Sequence, residues 1–217
     1  YTNIPIDILH HSICLAVANG CQITDEMFNE DSLSRLIAAV DNWKCKELLS
    51  FVRYKKANYE AKETKLTNAD GTVKKDVVQA YVGHKIVSGT PPDKYLYDAY
   101  AYDSGLELDN IKTQISEVVV YGKIPSHSIC IPTVASSNYS PDFMYVVKKI
   151  DGSKELNIVI ETKAYDKESH ISPDEDTKIS CAEEFFKTMT ANGYTVYFRK
   201  QINSTGVKAI IDSLIEE

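Results

Sequence analysis

Two apolar runs constrain this chain more than any other stretch: DFMYVVKKI at residues 142–150 and LNIVIETKAY at 156–165. Their aromatic and β-branched content is that of core strands. The stretch DGSK between them reads as a turn that pairs the runs antiparallel. Such a pairing brings the start of the first strand to the end of the second. Asp142 stands at that start, and Glu161, Thr162 and Lys163 stand at that end. Residues two apart on a strand share a face, so Glu161 and Lys163 point the same way. Two carboxylates and an ammonium are therefore expected at one end of a sheet.

Two carboxylates suit a hard divalent cation such as Mg²⁺, with Mn²⁺ as a substitute. The carbonyl of Thr162 is a candidate further ligand. Such a cation acidifies a water and polarises a phosphoryl oxygen, and a neighbouring lysine positions or deprotonates that water. These are the parts a phosphodiester hydrolase needs. A plainer reading also stands. Asp142 after Pro141 would start a strand from a turn, and Glu161 and Lys163 would be the exposed end of a buried strand. A short motif by itself does not choose between them. Position favours chemistry, because Glu161 emerges directly from LNIVI, which reads as a central strand.

The rest of the chain supplies the frame. Residues 5–19 and the stretch SLSRLIAAVDNWKCKELLSFV have helical spacing, the second capped by Asp31 or Ser32. NADGT is a turn with flanks able to form a hairpin, and VVQAYVG reads as a short strand. SGTPPDK breaks the pattern, which divides the chain into a mainly helical segment, 1–92, and a second part, 93–217. In that part SGLELDNIKTQI is a helix, with Ser104 as N-cap and Glu107 three residues on, as in a capping box. EVVVYGKI and SICIPT read as a hairpin through PSH. DTKISCAEEFFKTMTANG is a helix ending at Gly193, YTVYFRKQ a strand and STGVKAIIDSLIEE a closing helix. The order αβββαβα predicts an α/β fold.

The net charge of −7 taken alone argues against a nucleic-acid partner, but residues 44–75 carry nine basic and four acidic side chains. The five cysteines are irregularly spaced and lack a C-x-x-C, which argues against a zinc or disulfide framework and suggests mostly buried, reduced thiols in a cytoplasmic protein. No apolar run is long enough for a membrane span. The five histidines are scattered, without metal-ligand spacing, and the tyrosines read as half-buried strand positions. The start lacks a basic leader and an initiator Met, as expected of a piece of a longer protein.

Pro141-Asp142 followed by Glu161-Thr162-Lys163 resembles the PD-(D/E)XK nuclease superfamily, whose core has the αβββαβ order. YDSGLE, VVVYGKIP, IPT, YSPDFMYVV, IVIETK and TKISCAEEFF follow one another as well. Together, over roughly residues 95–201, they are similar to the C-terminal endonuclease domain of the Res subunit of type III restriction-modification enzymes. The resemblance implies a restriction-endonuclease-like core at 93–217, a mixed central sheet flanked by helices, in which Asp142 and Glu161 ligate Mg²⁺ and Lys163 assists the attacking water. Glu107 falls where superfamily members carry a glutamate on the first core helix. It would touch the metal directly or through water, and the capping-box reading stands beside this one. Lys178 and Gln201 are candidate DNA contacts, and Lys123 in YGKIP has no assigned role.

The resemblance further implies double-stranded DNA as substrate, with the methyltransferase (Mod) subunit and the enzyme's own helicase domains as partners. This chain has no G-x-x-x-x-G-K-[ST] loop, hence no ATP site of its own. It would be the cleavage part without the motor. A repair or helicase-associated nuclease, or a silent DNA- or partner-binding module, are the competing readings.

Overall fold

In the computed structural model, residues 5–55, 63–134, 138–149, 155–166, 171–191, 193, 195–203 and 205–216 are described. The expected DGSK turn and His170 lie outside them. Contacts divide the chain into two units, Tyr1–Phe51 and Val52–Glu217.

The first unit holds α1 (Ile6–Ala18), a short 3-10 turn (Asp25–Met27) and α2 (Glu30–Leu49). The cap of α2 is Asn29, not Asp31 or Ser32. Asn29 is extended, and its side chain accepts from the Ser32 N–H at 2.9 Å. Asp31 is thereby inside the first turn, where it pairs with Arg35 at 2.7 Å.

In the second unit NADGT is a turn. Gly71 takes a φ of +82°, and the flanks meet at a single bridge, Thr67 with Val73. VVQAYVG is not a strand: Gln79–Val82 forms a helical turn, α3, whose N–H groups bond locally back to Val78 and Gln79. β-propensity yields here to local closure. Strands β1 (Lys85–Val87) and β2 (Tyr100–Tyr102) then pair antiparallel. Gly83 passes so close to β2 that a Cβ would lie 2.3 Å from the Tyr102 nitrogen. Residues 79–92 therefore pack against β2, and no gap in contacts falls at residue 92. In the basic run, Lys74 pairs with Glu63 at 2.5 Å and Lys65 sits over the Tyr81 ring at 3.9 Å. Lys56 and Lys62 lie outside the described residues.

The central architecture consists of α4 (Gly105–Lys112), β3 (Val118–Lys123), β4 (Ile131–Pro132), β5 (Asn138–Tyr139), β6 (Phe143–Lys148), β7 (Glu155–Lys163), α5 (Pro173–Ala191), β8 (Val196–Ile202) and α6 (Val207–Ile215). The main sheet has the order β3-β6-β7-β8, with β7 and β8 parallel and the other pairs antiparallel. It is a mixed sheet between helices. Residues 117–132 do not form the expected hairpin. β3 is bonded on one edge to β6 and on the other to residues 94–96, leaving no free edge for β4, which pairs with β5 instead.

Strand alternation divides the core into two layers. Tyr121, Phe143, Tyr145, Ile158 and Ile160 pack with Ile111 of α4 and with Val207, Ile210, Ile211 and Leu214 of α6. Val159 and Phe198 pack on the other side with Ile179, Ala182 and Phe186 of α5. Full burial of one such side chain contributes about 1.5–3 kcal/mol. Tyr95, Tyr121, Tyr139 and Tyr145 are core residues rather than half-buried ones. The cysteines correct another expectation. Cys181 is buried, but Cys14, Cys21 and Cys130 are exposed and Cys45 is half-buried. Cys130 follows a turn, its thiol on the His127 carbonyl at 3.3 Å, and is exposed rather than part of the core. No helix among the described residues is long and apolar enough to cross a membrane.

Candidate active site

The register of the central hairpin sets Phe143 opposite Ile160, so the next pair outward is Asp142 and Glu161. The Asp142 carbonyl accepts from the Ile124 N–H at 2.7 Å and so continues the β3–β6 ladder past its last paired residues. The Asp142 side chain continues the β6–β7 ladder. Its Oδ2 accepts from the Thr162 N–H at 2.8 Å and from the Thr162 hydroxyl at 2.5 Å. A carboxylate thus takes the place of a backbone carbonyl at the end of the hairpin.

Glu161 projects on the face of β7 that carries Val159. It is 3% exposed. Its Oε2 accepts from the Tyr139 hydroxyl, and its Oε1 lies 2.9 Å from Lys163 Nζ. Lys163 meets a second carboxylate, Glu175 Oε1 of α5, also at 2.9 Å. The other oxygen of Glu175 accepts from the Tyr165 hydroxyl at 2.9 Å.

Electrostatics follow from this crowding. Burial, reinforced by the neighbouring Asp142 charge, pushes Glu161 up to about 8, against the opposing pull of Lys163 and Tyr139. Burial also raises Asp142, opposed by the two Thr162 bonds and assisted by the charge of Glu107. Burial alone would lower Lys163, but Glu161 and Glu175 outweigh it and raise the ammonium above its usual range. Burial would raise Glu175, yet its bonds to Lys163 and Tyr165 win and hold it below the usual carboxylate range. Tyr139 is pushed up by burial and by Glu161.

Asp142 and Glu161 thus disfavour each other's ionisation, a situation a hard cation would relieve. Among the described residues no group of three His, Cys, Asp or Glu side chains forms a ready cage. A cation that keeps several waters needs only one or two carboxylates, so the donors present fit Mg²⁺.

Glu107 has three partners. Ser104 Oγ accepts from the Glu107 N–H at 3.2 Å, which caps α4. Glu107 Oε2 accepts from the Asp103 N–H at 2.8 Å, one residue further out than in an ordinary capping box. The same oxygen pairs with Lys123 Nζ at 2.5 Å. Lys123 is buried and also reaches Asp103 Oδ2 at 3.1 Å, while His84 Nδ1 holds Oδ1 at 2.9 Å. Glu107 lies near enough to Asp142 for its charge to be felt there.

The structure therefore brings Asp142, Glu161, Thr162 and Lys163 together, with Glu107 beside them. Lys178 is half-buried and pairs with Asp174 on its own helix. Gln201 stands apart, against the expectation of a DNA contact. It is 0% exposed. Its amide exchanges bonds of 2.6 and 3.0 Å with Asn110 and donates to the Thr205 carbonyl at 3.0 Å. It ties β8 to α4 inside the protein. Sequence reasoning missed Tyr139, Tyr165 and Glu175. Tyr139 offers a signal, lying three residues before Asp142. Glu175 sits within the acidic SPDEDTK, where nothing marks one carboxylate as turned inward.

The family described as "Endonuclease domain" matches residues 93–205. That match begins where the sequence breaks at SGTPPDK, whereas the contacts join residues 52–92 to the same unit. The chain is 38% identical over 154 residues to the Type III restriction-modification enzyme EcoPI Res subunit of Escherichia phage P1. The same figures hold for the EcoP15I Res subunit of Escherichia coli. Each alignment covers 70% of this chain and 16% of the relative. The StyLTI Res subunit of Salmonella typhimurium is 21% identical over 220 residues, covering 99% of this chain and 22% of that one. The chain thus spans less than a quarter of the length of these relatives. No solved structure matches. Because the family match covers more than half of its length, the chain belongs to the endonuclease-domain family.

Proposed function

We propose that this chain is the Mg²⁺-dependent, DNA-cleaving part of a type III restriction enzyme Res subunit, built on a PD-(D/E)XK core and separate from the ATP-driven motor. The observation that carries the reading is the meeting of Asp142, Glu161 and Lys163 at one end of the sheet. The order α4, β3, β6, β7, α5, β8 supports the core assignment. The names of the relatives support the restriction role.

In this reading Asp142 and Glu161 would hold the cation, with the Thr162 carbonyl as a candidate further donor. The cation, when bound, polarises the phosphoryl oxygen and acidifies a water. Thr162 fixes the Asp142 carboxylate through its N–H and hydroxyl. Tyr139 and Lys163 fix that of Glu161. Lys163 between two carboxylates remains an ammonium, so it offers charge and hydrogen bonds to an anionic phosphodiester and orients the attacking water rather than deprotonating it. Glu107, whose Oε2 is committed to Lys123, would serve the cation directly or through water. Double-stranded DNA would be delivered by the motor and the Mod subunit, which accounts for a net charge of −7 on the cutting part.

The test is plasmid cleavage with Mg²⁺ or Mn²⁺, comparing the wild type with Asp142→Ala and Lys163→Ala. The expected result is cleavage lost in both variants. If this chain is silent alone, the same substitutions belong in the full-length Res subunit with Mod and ATP. Cleavage that survives both substitutions would sink the assignment.

A further inference from the structure

Lys163 is held by two carboxylates from different elements. Glu161 shares its strand and its face. Glu175 reaches it from the first turn of α5, which packs on that same side of the sheet through Ile179, Ala182 and Phe186. Glu175 is itself anchored. Its N–H donates to Ser172 Oγ at 3.3 Å, and its Oε2 accepts from the Tyr165 hydroxyl at 2.9 Å. Its negative charge in the first turn also complements the positive end of the helix.

A lysine has a long stem of rotatable bonds, and one contact does not fix where its ammonium stands. Two contacts at 2.9 Å, from opposite elements, do fix it. The second contact matters most once Glu161 has a cation to serve. Lys163 then shares its strand partner with the cation, while Oε1 of the helix partner stays on the ammonium.

We propose that Glu175 is a positioning residue for Lys163. It would hold the ammonium where it meets the anionic phosphodiester, while Tyr165 keeps the Glu175 carboxylate turned toward the site. This inference rests on the reading of the site as a phosphodiester hydrolase. The competing role for Glu175 is structural, a fastening of α5. The apolar contacts of Ile179, Ala182 and Phe186 already dock that helix without it.

Two measurements separate these roles. The first needs no activity: side-chain NMR of ¹⁵N-lysine-labelled protein, with the Lys163 ammonium signal identified by its absence in Lys163→Ala. The wild type should show a slowly exchanging Lys163 signal, lost or broadened in Glu175→Gln. A wild type without such a signal, or one unchanged by Glu175→Gln, overturns the proposal. The second is cleavage kinetics in the full-length Res subunit with Mod. Glu175→Gln should lower kcat by roughly tenfold to a hundredfold with KM unchanged, the size expected of a misplaced catalytic group. Adding it to Lys163→Ala should cost nothing more. Losses that multiply, or a change confined to KM, overturn it. Should Lys163→Ala cleave normally, the hydrolase reading fails, while the NMR result still decides whether Glu175 holds the lysine.

Discussion

Thr162 donates twice to one carboxylate oxygen. Its N–H lies 2.8 Å and its hydroxyl 2.5 Å from Asp142 Oδ2. The middle residue of Glu-Thr-Lys is therefore the clamp that sets Asp142 beside Glu161. Thr162→Val keeps the shape and removes the hydroxyl. It should cost about 1–2 kcal/mol in urea unfolding and lower cleavage with it. An unchanged unfolding midpoint would show that the hydroxyl adds nothing.

Glu161 makes stability depend on pH in an unusual direction. Its folded value, about 8, lies above the ordinary 4.5. Between those values the folded chain holds a proton that the unfolded chain releases. The contribution is therefore fully present below pH 4.5 and lost as pH rises through 8. Across that window the wild type should lose thermal stability relative to Glu161→Gln, and Mg²⁺ should restore it increasingly at the alkaline end. Parallel melting curves for the two proteins, with and without Mg²⁺, would contradict this.

The buried pair of Lys123 and Glu107 gives a stability prediction apart from catalysis. Lys123→Met leaves the buried Glu107 without its ammonium partner, which should cost about 3–5 kcal/mol. The double variant with Glu107→Gln should recover part of that loss in denaturant titration. A double variant no better than the single one would mean that the two side chains do not act as a pair.

Gln201→Leu should leave Asn110 unsatisfied, at about 1–3 kcal/mol, and leave DNA affinity unchanged. Weaker DNA binding with normal stability would make Gln201 a contact after all.

Gly83→Ala tests the joining of residues 79–92 to the core. Its Cβ would meet the Tyr102 backbone at 2.3 Å, which only a backbone shift relieves. A loss of about 1–3 kcal/mol or more is expected by thermal melting. A neutral substitution would mean that this segment moves freely over β2.

The sequence by itself determined the central hairpin, the meeting of Asp142 with Glu161 and Lys163, and the helices on either side. Those features rest on period-two alternation, helical spacing and antiparallel geometry, all local or nearly so. Tertiary structure decided what depends on partners far away in the chain. The VVQAYVG run became a helical turn at Gln79–Val82 because its N–H groups closed locally. SICIPT left β3 because residues 94–96 already held that edge. Gln201 was drawn inside by Asn110, 91 positions away. Glu175, one carboxylate in an acidic run, turned toward Lys163 because α5 packs on the face of β7 that carries it. Spacing within a segment says which way a side chain points, but only packing says what stands there to meet it.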